Sequence, residues 1–158
     1  MKKLSAIIVV TAMLSAPAFA GPHGIAGPSV GFGGILGDEG FVGGEYDFAA
    51  PPYFSWGPEA MVAFGGGVSV LGGVAARFYI VPDHDYLVQP YLPFGGGGFV
   101  AFPSGDGDTS GGGYLHFGAG IDFDIEAPVV PYVDMGGIVF FSDGTGADFK
   151  IELGVRFP

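Results

Sequence analysis

Residues 114–125 read YLHFGAGIDFDI, and every second residue is apolar. Leu115, Phe117, Ala119, Ile121, Phe123 and Ile125 share one parity. Tyr114, His116, Gly118, Gly120, Asp122 and Asp124 share the other. Side chains of a strand point alternately to its two faces, so this stretch predicts a strand with one greasy face. The final segment, FKIELGVRF, repeats the pattern: Phe149, Ile151, Leu153, Val155 and Phe157 oppose Lys150, Glu152, Gly154 and Arg156. Val133, Met135, Val139 and Phe141 likewise oppose Tyr132, Asp134, Gly136 and Ile138. Further upstream, Val74, Ala76, Phe78 and Ile80 oppose Ala75, Arg77 and Tyr79, and Val42, Gly44, Tyr46 and Phe48 oppose Gly43, Glu45 and Asp47.

Carried along the chain, the alternation predicts eight strands, at 29–37, 41–50, 59–68, 72–81, 86–102, 112–125, 129–141 and 148–157. Gly, Pro and Asp clusters punctuate them: Gly37-Asp38-Glu39-Gly40, Pro51-Pro52 to Pro58, Pro82 to Asp85, SGDGDTSGGG, Glu126 to Pro128 and SDGTGAD. Regular strands separated by such turns indicate a barrel or sandwich. In the second half the connections at 82–85 and 126–128 read as short turns, while those after the fifth and seventh strands read as longer loops. That alternation of short and long ends is the habit of an outer-membrane barrel.

Composition agrees with β structure. The 32 glycines and 13 prolines disfavour helix, and 16 Phe with 7 Tyr at regular spacing exclude a disordered chain. The first 20 residues stand apart: Lys2 and Lys3, an apolar run from Leu4 to Leu14, then Ala18-Phe19-Ala20. This predicts a secretory signal peptide cleaved after Ala20, followed by a short leader (21–28) and one domain (29–158). Removing 20 of 158 residues leaves 138, with three cations, Arg77, Lys150 and Arg156, against 16 acids. So few cations exclude a basic nucleic-acid surface. The absence of cysteine excludes disulfides as the source of stability in an exported chain. Glycine runs such as Gly95–Gly98 fall inside a strand pattern without a following Lys-Ser/Thr, so no phosphate loop is expected.

The remaining question is what the greasy face touches. In a water-soluble barrel the polar face would be outside and rich in Lys and Glu. Here all three cations lie on the polar parity of predicted strands and the loops carry acids alone. A lipid-facing Arg or Lys near the bilayer centre costs roughly 2–4 kcal/mol, which an inward position avoids. Buried charges need partners; Arg77, Lys150 and Arg156 are expected to find them in Glu45, Asp47, Asp122, Asp124, Asp134 and Glu152, with His116 among them. The greasy face is thus expected to meet lipid, and the fold to be an all-β, eight-stranded antiparallel up-and-down transmembrane β-barrel.

With its signal peptide, strand count, dyad alternation, segments such as PYLPFGGGGF and the ending FKIELGVRF, the chain resembles the small eight-stranded outer-membrane β-barrels of Gram-negative bacteria, similar to the outer membrane protein A transmembrane domain. The resemblance spans Ser29 onward. It implies a location in the outer membrane among lipid and lipopolysaccharide. It also implies recognition of the C-terminal strand by the outer-membrane assembly machinery, although Phe157 is followed here by Pro158. A structural or surface-interaction role without cofactor or catalysis is the expectation.

Other chemistry is thinly represented. Asp106, Asp108, Ser110 and Gly111 mimic the start of a calcium loop, but the twelfth position is Phe117; Asp106 and Asp108 remain candidates for divalent cations at the loops. Asp83-His84-Asp85 reads as a polar turn, and His116 as a hydrogen-bonded interior residue. A lipid A-modifying enzyme would need a serine beside a base, and none of Ser55, Ser69, Ser104, Ser110 and Ser142 neighbours a histidine in sequence. A soluble periplasmic barrel of lipocalin type, holding a small apolar ligand, is the other alternative. Tyr53, Phe54 and Trp56 are expected in an interfacial aromatic girdle.

Overall fold

The structure is a computed structural model that describes residues 27–35, 39–50, 53–80, 87–125, 128–142 and 145–157. The expected signal peptide, residues 21–26 and the Asp83-His84-Asp85 turn lie outside the described residues. Eight antiparallel strands follow one another: β1 (Gly27–Ile35), β2 (Glu39–Ala50), β3 (Phe54–Phe64), β4 (Gly67–Tyr79), β5 (Val88–Pro103), β6 (Ser110–Phe123), β7 (Val130–Phe141) and β8 (Thr145–Arg156). Each pairs with its sequence neighbours, and β1 pairs with β8, Ser29 opposite Arg156, to close the barrel. Following the register once around displaces it by about ten residues, which tilts the strands by roughly 35–45°.

Six strands fall within three residues of their predicted bounds. The third and fourth do not. Residues 54–58, read as part of a long connection, are the first half of β3, and the turn that follows is Gly65-Gly66 rather than a point beyond Val68. Pro58 explains the error. Proline lacks the N–H a ladder needs, and no Tyr46–Pro58 pair forms, yet the ladder resumes at Phe48–Trp56 and runs to Ala50–Phe54. Similarly Gly27 and Pro28, read as leader, already belong to β1.

The expected contrast between short and long ends is absent. At the end that holds both strand termini the connections are 51–53, 80–87 and 124–129; at the far end they are 36–38, 65–66, 104–109 and 142–144. β4 and β6 stop at Tyr79 and Phe123, lengthening two connections read as short. β7 and β8 pair down to Phe141–Thr145, shortening one read as long.

The two faces are as the alternation predicts. Phe32 (63% exposed), Phe117 (60%), Leu115 (53%) and Met135 (50%) stand on the outside, whereas Arg77 (3%), Lys150 (7%) and Arg156 (1%) are inside. The interior is divided along the barrel. Toward the far end Ile35, Phe41, Met61, Ala63, Leu71, Tyr114 and Ile138 form an apolar plug, with Phe99 and Phe140 packed on it. Cross-strand neighbours Phe41–Ala63, Met61–Leu71 and Leu71–Phe99 knit it together. Burying a side chain the size of Leu71 or Ile138 contributes about 1.5–3 kcal/mol. Between the plug and the terminal end every large inward side chain is polar or aromatic.

Candidate functional site

The polar interior begins near the terminal end with two arginines. Arg77 on β4 pairs with Glu45 and, at 2.5 Å, with Asp47, both on β2. Arg156 on β8 sits 3.1 Å from Asp122 of β6, 3.7 Å from Asp47, and donates to the Tyr79 hydroxyl at 2.6 Å. Tyr79 in turn donates to Asp122 at 3.0 Å. Ser55 donates to Asp47 and Ser29 to Glu45, each at 3.2 Å. The two guanidinium groups share the rings of Tyr91 (5.4 and 5.6 Å) and Tyr132 (5.8 and 5.2 Å). Cation–π attraction of this kind strengthens when the groups are desolvated.

Above the arginines the register sets carboxyls against each other: Glu45 opposite Glu59, and Asp134 opposite Glu152. Like charges directly opposite destabilise a sheet, so each needs its own relief. Lys150 reaches Glu152 at 2.7 Å, and the Tyr132 hydroxyl donates to the same carboxyl at 2.7 Å. His116 Nε2 lies 3.0 Å from both oxygens of Glu59, which also accepts from the Tyr114 hydroxyl at 2.8 Å. Asp134 accepts from the Tyr91 hydroxyl. A cavity of about 20 Å³ lies among Glu45, Glu59, Asp134, Glu152, Arg77 and Lys150. That is room for about one water and not for an apolar ligand of the lipocalin kind.

Glycine makes space for the tyrosines. A Cβ on Gly120 would fall 2.5 Å from the Tyr91 ring, and one on Gly154 would fall 2.5 Å from the Tyr132 hydroxyl. Each ring fills space that the facing glycine of the neighbouring strand leaves without a side chain.

Of the expected network, Glu45, Asp47, Arg77, His116, Asp122, Asp134, Lys150, Glu152 and Arg156 are all buried in this interior. Asp124 is not among them: β6 ends at Phe123, leaving Asp124 half-buried beyond the strand, its backbone N–H donating to the Leu87 carbonyl. Glu59, the first residue of the predicted third strand, is a network member that the sequence did not single out, since Pro58 put the residues just before it in a connection. The signal was there, because Ser55, Gly57 and Glu59 continue the inward parity. The apolar plug is not foreseen in the sequence either, because Phe41 shares the parity of Glu45 and Asp47, and Leu71 that of Arg77.

Asp106 and Asp108 lie exposed in the connection 104–109. Among the described residues no group of three or more His, Asp or Glu is placed to hold a metal ion. Ser55 is sealed against Asp47, Ser104 donates to the Gly66 carbonyl, and the His116 Nε2 is taken up by Glu59. On the outside Phe48 packs on Trp56 (5.4 Å), Tyr53 stacks on Phe78 (6.4 Å) and Phe54 meets Phe94 (6.2 Å). These pairs form an aromatic band near the terminal end.

No family model matches the sequence, and no curated protein does. The fold has a solved counterpart: the N-terminal β-barrel domain of Pseudomonas aeruginosa OprF, with a TM-score of 0.69 at 11% identity, covering 82% of this chain and 93% of that one. The chain therefore has the eight-stranded barrel fold of that domain.

Proposed function

We propose that this protein is a small outer-membrane β-barrel, exported through a cleaved signal peptide, whose role is structural or surface interaction rather than catalysis or transport. One observation carries the reading: large apolar residues around the outside, Phe32, Val74, Phe78, Leu115, Phe117 and Met135 among them, are exposed, while Arg77, Lys150 and Arg156 are inside. Exposed Phe, Leu, Val and Met around a closed ladder suit hydrocarbon, where backbone groups must be satisfied internally. The OprF-like fold and the external aromatic band support the same setting. A polar lumen filled by side chains and closed by an apolar plug supports a sealed barrel.

Partners follow from the surface chemistry. The described exterior carries no Lys or Arg, so contact with anionic lipopolysaccharide would run through its acyl chains, with divalent cations bridging acids such as Asp106 and Asp108 to phosphate. The assembly machinery would engage β8 with Phe157. The test is urea extraction of outer-membrane fractions with electrophoresis of boiled and unboiled samples. A band that resists urea and shifts on boiling is the expected result. A protein that washes off and does not shift would overturn the reading.

A further inference from the structure

Six carboxyls are buried inside the barrel, Glu45, Asp47, Glu59, Asp122, Asp134 and Glu152, against three permanent cations. Five of the six touch a cationic or imidazole partner: Glu45 and Asp47 have Arg77, Asp122 has Arg156, Glu152 has Lys150, and Glu59 has His116. Asp134 differs. Among the described residues no cation lies within ion-pair distance of it, and its hydrogen bond comes from the uncharged Tyr91 hydroxyl. Across the ladder it faces Glu152.

The surroundings of Asp134 are lopsided. On β8, Lys150 is already engaged by Glu152. On β6, Asp122 and His116 have other partners, and the residue directly opposite Asp134 is Gly120. Its own strand adds Tyr132, which donates to Glu152, and β5 adds Tyr91. Arg77 on β4 lines the same cavity and attracts Asp134, as Lys150 does, but its ion-pair contacts are with Glu45 and Asp47 of β2; Arg156 on β8 pairs with Asp122 and Asp47, β3 contributes Glu59, and β1 no charge. With one neutral donor and no cation in contact, a buried carboxylate is costly to ionise, and protonation relieves that cost. The cavity beside Asp134, Glu152, Glu45 and Glu59 leaves room for a water to meet a carboxylic O–H.

We propose that Asp134 is a neutral carboxylic acid in the folded barrel, taking one proton from solvent as the interior closes. One oxygen accepts from Tyr91. The other donates its new O–H toward Glu152 or a water in the cavity. Folding is then coupled to proton uptake. The folded chain binds one more proton than the unfolded chain, in which Asp134 is an ordinary exposed aspartate. Stability therefore falls as pH rises, by about tenfold in the folding equilibrium per pH unit for the one proton. This inference concerns the folded interior and holds whichever solvent the outer face meets.

The test compares the wild type, Asp134→Asn and Asp122→Asn, refolded in detergent and unfolded in urea, over about pH 6 to pH 9. The Asp134→Asn variant keeps the shape and the Tyr91 bond without needing the proton. The expected result is a variant with a flatter pH dependence than wild type, more stable than it at the alkaline end. Asp122→Asn removes the nearer of the two carboxylates that pair with Arg156 and should lower stability at every pH. Infrared difference spectra should show a protonated-carboxyl stretching band in the folded wild type at neutral pH that Asp134→Asn lacks. An unchanged pH slope in Asp134→Asn overturns the proposal. Should that variant not fold, absence of the band from the folded wild type overturns it alone.

Discussion

Arg77 and Arg156 lie side by side, a placement that only the acids and rings around them make tolerable. Asp47 touches both, and Tyr91 and Tyr132 offer their faces to both. Removing one cation leaves buried acids uncompensated, and breaking a buried pair costs about 3–5 kcal/mol. Arg77→Met is accordingly expected to lower the free energy of unfolding by that order, seen as a lower urea midpoint of the folded band. Tyr132→Phe should lose about 1–3 kcal/mol, because the Glu152 oxygen then lacks its donor. Gly154→Ala, which drives a methyl into the same tyrosine and toward the Val30 carbonyl, should cost about 1–3 kcal/mol by overpacking. Unfolding of the three variants in one detergent ranks these effects directly. At this scale the sequence was informative about which residues face inward and silent about pairing. Parity places Arg77, Asp47 and Asp122 on one face, but which acid meets which cation depends on the stagger between strands, a property of closure.

Strands with clean alternation were legible almost to the residue. β6 and β8 each carry an unbroken two-residue period, and their bounds lie within three residues of expectation. β3 was not, because Pro51, Pro52 and Pro58 are turn signals in local chemistry while neighbouring β2 and β4 still supply ladders around Pro58. Tertiary pairing overrode a local preference. The plug was illegible for another reason: along one strand a single inward Phe41 or Leu71 resembles noise, and only the register gathers them into a layer. Two substitutions test the division of faces. Leu115→Arg, on the outer face, should destabilise the barrel in bilayers by about 2–4 kcal/mol; a barrel whose outer face meets water would tolerate it. Leu71→Ala, in the plug, should cost about 2–5 kcal/mol in any solvent. Measuring both in lipid vesicles and in detergent separates the solvent of the outer face from the packing of the inner one.

For the whole molecule, the closed ladder, filled polar lumen and apolar plug add up to a wall rather than a channel. Eight strands enclose a lumen just wide enough for side chains to fill, and here Arg, Tyr and carboxyl groups fill its terminal half. Purified protein in planar bilayers is expected to show no steady open conductance; a stable ohmic pore would mean the plug is not closed. The architecture could be read from the sequence because the two faces of each strand follow opposite rules, apolar on one and polar or small on the other. The role could not, since nothing in that rule requires a ligand.

The inward confinement of every cation beyond the first 20 residues has a practical corollary. Trypsin cuts after Lys and Arg, and none of the connections between strands contains either residue. Its targets, Arg77, Lys150 and Arg156, are locked in paired strands with their side chains in the lumen. The folded barrel should thus be invisible to the protease, while the unfolded chain falls into a few defined fragments. A digestion gel then becomes a direct count of folded molecules, in a membrane or out of it.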